Sequence, residues 1–86
     1  MMAAHVRIAP LDPAAVAEPT VIRDLIFANA AAADGIEHVR ARAGPHFVDI
    51  IAFVDGNDPD EAAGTLRRLA EEAIGRTALL RLWRVI

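Results

Sequence analysis

The chain has 86 residues, a formal net charge of -3 and no cysteine. That length fits one domain with a single core, and the missing thiols exclude disulfides, thiolate metal sites and thiol catalysis. The mild acid excess argues against a nucleic-acid partner or an anionic membrane surface, because such binding rests on neutralising phosphates. Hydrophobic residues make up 55% and aromatics only 5%, so the expected core is small and aliphatic, with Phe27, Phe47, Phe53 and Trp83 as its bulky members. All nine basic residues are arginine, which reads as a coding bias before it reads as a phosphate site. With no signal peptide and no apolar run of about 18 residues, a cytoplasmic protein with no membrane contact is expected.

In chain order, residues 1–4 read as a disordered start. His5 to Ala9 then alternates, with Val6 and Ile8 on the buried side, and predicts a first strand. Pro10 to Pro13 ends it. Pro19 suits the first position of a helix whose stripe is Val21, Ile22, Leu25, Ile26 and Asn29. An alanine run carries this helix to Asp34-Gly35, where glycine supplies a left-handed cap.

Gly35 to Asp55 reads as an antiparallel hairpin. A two-residue turn at Gly44-Pro45, with the positive φ on the glycine, sets Ala41 opposite Val48 and Val39 opposite Ile50 on one face. On the other face it sets Arg42 opposite Phe47, Arg40 opposite Asp49 and His38 opposite Ile51. Asp58-Pro59 then opens a second helix, an Asp N-cap followed by proline, which runs to about Ile74 with Ala62, Leu66, Leu69, Ala70, Ala73 and Ile74 as its apolar stripe. Gly64 within it is tolerable if it lets the helix lie close to the sheet. Ala78 to Ile86 predicts a last strand.

Strand, helix, strand, strand, helix, strand with right-handed crossovers gives an α+β ferredoxin-like βαββαβ sandwich, strand order 4-1-3-2, with both helices on one face of an antiparallel sheet. The bare face would then show His5, Arg7, His38, Arg40, Arg42, Phe47, Asp49, Ile51 and Phe53, joined by Arg81 and Trp83. Exposed bulky groups mixed with paired charges make this the expected binding face, and a homodimer anchored on Phe47, Phe53 and Trp83 is expected from it.

The hairpin run Arg40-Ala41-Arg42-Ala43-Gly44-Pro45-His46-Phe47-Val48-Asp49-Ile50, followed by an acidic turn and a helix, resembles the cytoplasmic C-terminal domain of cation diffusion facilitator transporters. The likeness spans about residues 35–74. It implies a ferredoxin-like dimerisation and metal-sensing module. Where that family has histidine ligands this chain has Glu37, with His38 beside it, and Ile51. Glu37, His38 and His46 are therefore the residues nearest to a metal role, and no metal or other cofactor is expected.

Val6-Arg7-Ile8-Ala9-Pro10-Leu11 resembles one motif of RNA-recognition domains, but Arg7 stands where the stacking aromatic belongs, so nucleic acid is not the expected partner. An alternative is a likeness to small dimeric α+β-barrel enzymes or ligand-binding proteins, with a pocket lined by Val48, Ile50, Val54 and Leu66 and His46 at its mouth. The only side-chain hydroxyls are Thr20, Thr65 and Thr77, and the carboxylates are explained by caps and ion pairs, so no catalytic residue is assigned. The expected function is a small regulatory or protein-interaction module.

Overall fold

Alternation of apolar side chains builds the sheet. In the computed structural model, which describes all 86 residues, β1 (Met2–Pro10), β2 (Ile36–Gly44), β3 (Phe47–Val54) and β4 (Trp83–Val85) form one antiparallel sheet in the order β2-β3-β1-β4. Helices α1 (Pro19–Asn29) and α2 (Pro59–Arg76) pack on the same face of it. The protein is an α+β ferredoxin-like sandwich. Val6 and Ile8 of β1, Val39 of β2, and Val48, Ile50, Ala52 and Val54 of β3 turn inward. They meet Ile22 and Ile26 of α1 and the Ala62, Leu66, Leu69, Ala70 and Ala73 stripe of α2 in one core. No helix is long and apolar enough to cross a membrane.

β1 begins earlier than its pattern implied. Ala3 pairs with Phe53 and Ala4 with Ala52, and Ala4 is buried, so residues 2–4 belong to the sheet. The hairpin corrects the expected pairing by two residues. Gly44 faces Phe47, so Pro45-His46 forms the turn; Arg42 then faces Asp49, Arg40 faces Ile51 and His38 faces Phe53. A two-residue slip preserves side-chain parity, which is why every face assignment survives while Arg40 does not face Asp49. Gly44 also lacks a positive φ. Its glycine is required for another reason: the Phe47 ring lies across it, and a Cβ there would collide with the ring's Cζ. A bulge at Glu37 interrupts the ladder between Ile36 and His38.

Helix α1 stops five residues short of Asp34. Ala30 and Ala31 are extended, and a 3-10 turn over Ala32–Asp34 leads to Gly35 at φ 68°. The Asp34 carboxylate accepts the Ala31 amide at 2.8 Å, a local bond that replaces the one a continuing helix would supply. Arg68 of α2 donates to the other oxygen of Asp34 and so ties this turn to the second helix. The start of α2 follows its signature: Asp58 accepts the amides of Asp60 at 3.0 Å and Glu61 at 3.3 Å, with Pro59 next in line. Gly64 is not explained by close packing, since a Cβ there would meet nothing within 4 Å.

The last strand is the largest departure. Ala78–Leu80 forms a 3-10 turn and β4 keeps only three residues, pairing with Ile8, Ala9 and Pro10. Trp83 faces Pro10, which shares its parity with Val6 and Ile8, so the indole enters the core and is only 6% exposed. It is therefore not part of the bare face.

Candidate functional site

The helix-free face is assembled by parity from the three longer strands: His5 and Arg7 on β1, Phe47, Asp49, Ile51 and Phe53 on β3, and His38, Arg40 and Arg42 on β2. At its centre Arg7 faces Asp49. Arg7 donates from Nε to Oδ1 at 2.8 Å and from Nη2 to Oδ2 at 3.2 Å, and His5 Nε2 bonds Oδ1 at 2.8 Å. The Arg7 hydrogen bonds, then that of His5, hold the Asp49 carboxyl below the usual carboxylate range. The same pairing raises the Arg7 pKa, so the ion pair persists through neutral pH. The Arg7 guanidinium carbon also sits 3.7 Å from the centroid of the Phe47 ring, a stacked cation–π contact.

Toward β2, His38 lies 6.1 Å from Phe53, ring to ring, tilted by 37°. Arg40 Nε donates to His38 Nε2 at 3.2 Å. Arg42 faces Asp49 in the ladder, yet that carboxylate is turned to Arg7 and His5 on the other side. Ile51 is 38% exposed and lies between His5 and Arg40 across the sheet. The result is an apolar strip of Phe47, Ile51 and Phe53 whose central charges are already neutralised in pairs.

The three histidines do not converge. His5 is bound to Asp49 on β1's side, His38 to Arg40 on the sheet edge, and His46 sits in the hairpin turn. No group of three His, Cys, Asp or Glu side chains is placed to hold a metal ion. Glu37 occupies the bulge.

Val48, Ile50, Val54 and Leu66, the walls expected for an internal pocket, are at most 3% exposed and pack against one another's neighbours in the core. Openings lie elsewhere, and two of them are notable. One, of about 290 Å³, is bounded by the hairpin turn, by residues 13–17 and by Trp83, whose buried Nε1 has no hydrogen-bond partner. The other, of about 660 Å³, runs between α1 and β2 and includes Phe27, His38 and Arg40.

Sequence reasoning missed this second cleft because Phe27 was expected in the core; it is 50% exposed. The signal was present, since Phe27 lies off the Ile22–Ile26 stripe. Compared with family models, with characterised proteins and with solved structures, the chain gives no match, so its family is not assigned.

Proposed function

We propose that the chain is a non-catalytic protein-interaction module of regulatory type that forms a homodimer through its helix-free sheet face. The observation that carries the reading is the Phe47, Ile51 and Phe53 strip flanked by the Arg7–Asp49–His5 cluster. An interface centre is apolar and depleted of unpaired charge, with polar groups at its margin. Here Arg7 and Asp49 satisfy each other within the protomer, so covering them leaves neither without a partner, and Arg40 and Arg42 stand at the β2 margin of the face. A two-fold contact sets such a patch against its own copy. In a domain this small, covering that strip adds to a modest core.

Sedimentation velocity at tens of micromolar tests the reading. The expected result is a dimer for the parent chain and a monomer for Ile51→Glu, which places a charge at the centre of the strip. Arg67→Ala, on the solvent side of α2 where Arg67 pairs only with Glu71, is the matching control and should remain dimeric. A monomeric parent, or an Ile51→Glu variant that stays dimeric, overturns the reading.

A further inference from the structure

Strand β2 ends the sheet, so one side of its backbone pairs with no other strand. Beside it α1 presents Pro19, Arg23 and Phe27, one residue per turn, as the far wall of the 660 Å³ cleft, while His38 to Ala41 of β2 form the near wall. Eight residues of helix rise about 12 Å. From His38 to Ala41 three strand steps cover about 10 Å. The two walls are therefore of comparable length, and the gap between them fits a short extended chain lying along β2. Half-exposed Phe27 gives that chain an apolar surface on one side.

On the other side stand Arg40 and Arg42. Arg7, Arg23, Arg67 and Arg68 each have a carboxylate partner, whereas Arg40, Arg42, Arg76, Arg81 and Arg84 have none, and of these only Arg40 and Arg42 lie on β2. In an acidic chain, two uncompensated cations on an open sheet edge define what the edge accepts. A second copy does not fit by edge pairing. Antiparallel two-fold pairing centred on Arg40 sets that arginine against itself, and centred on Ala41 sets Arg40 against Arg42. Like charges directly opposite are destabilising.

We propose that the β2 edge and the cleft beside α1 form a strand-addition site for an extended acidic segment of a partner protein. Its backbone extends the sheet at β2. Alternate side chains fall on opposite sides, so apolar residues meet Phe27 and carboxylates meet Arg40 and Arg42. The site straddles the β2 edge, with Phe27 on its helix side and Arg40 and Arg42 on its helix-free side, and its backbone pairing does not use the Phe47, Ile51 and Phe53 strip of the face-to-face dimer proposed above.

The test uses a short capped peptide of alternating valine and glutamate, its valine–lysine counterpart, and a valine–glutamate version N-methylated at alternate amides. Binding is measured by calorimetry and mapped by amide shifts and hydrogen exchange on the full chain. The expected result is binding of the glutamate peptide alone, with new protection of β2 amides. Arg40→Glu combined with Arg42→Glu should weaken it about tenfold or more, with an unchanged circular-dichroism spectrum. Phe27→Ser, a half-exposed position, should weaken it with the fold intact. The proposal is overturned by equal binding of the lysine or the N-methylated peptide, by no binding of any, or by shifts confined to residues 2–6 of β1, which β4 does not pair. It is also overturned if the free chain self-associates with protection of β2.

Discussion

Arg7 grips Asp49 through two hydrogen bonds of 2.8 and 3.2 Å, joining the two central strands on the helix-free face. The pair fixes a pH dependence. Asp49 has a lowered carboxyl pKa in the folded chain, caused first by the Arg7 bonds and then by His5. The unfolded chain holds that proton up to about pH 4. The stabilisation is therefore complete above that value and is lost as pH falls through the folded pKa. Asp49→Asn should flatten the acid limb of the stability curve below about pH 4 in urea titrations. An acid limb as steep as the parent's would show that Asp49 is not its source.

Gly44 and Gly64 should respond in opposite directions to alanine. At Gly44 the new Cβ meets the Phe47 ring, and overpacking of this kind costs about 1–3 kcal/mol. Adding Phe47→Ala to that variant should recover part of the loss, a coupling that a double-mutant cycle measures. At Gly64 the Cβ enters open space within α2, so Gly64→Ala should stabilise by about 0.5–1 kcal/mol.

Asp34 performs two separable tasks. Asp34→Asn keeps an acceptor for the Ala31 amide and removes the charge that meets Arg68, whereas Asp34→Ala removes both. Exchange of the Ala31 amide should therefore accelerate strongly in the alanine variant and little in the asparagine variant. Melting temperatures should fall in the order parent, asparagine, alanine.

Trp83 carries a buried N–H with no partner. A group of that kind costs about 1–3 kcal/mol, so Trp83→Phe removes a penalty while it removes volume. Its denaturant midpoint should lie close to the parent's, whereas Trp83→Ala, which only opens a cavity, should lose about 3–5 kcal/mol. In the parent, the emission of this single tryptophan should be blue-shifted and move to the red on unfolding.

Element order, strand order and sheet faces were legible because they depend on periodicity and caps. Val6 and Ile8, then Val48, Ile50, Ala52 and Val54, alternate without a break, and Asp58-Pro59 is a start signal with a mechanism. What was not legible depends on contacts between distant residues. The turn position followed from Phe47 lying on Gly44, not from the glycine's own freedom. Helix α1 was cut short by Asp34, which is held from α2. Trp83 changed face because a 3-10 turn consumed the start of the last apolar run. The candidate face kept its members apart from Trp83 and Arg81, the latter lying in the turn before β4, since parity outlives a slip of two.

The sheet order also sets a sequence of events in folding. The hairpin partners Gly44 and Phe47 are close along the chain, whereas Arg7 and Asp49 are 42 residues apart. Closing the longer loop is the entropic obstacle, so the β2–β3 hairpin is expected to form first and dock β1 late. β4 pairs only with the end of β1, so its ladder is expected to close last and open first. Anything that removes the C-terminal residues should therefore shorten the native lifetime while leaving the rate of collapse nearly unchanged.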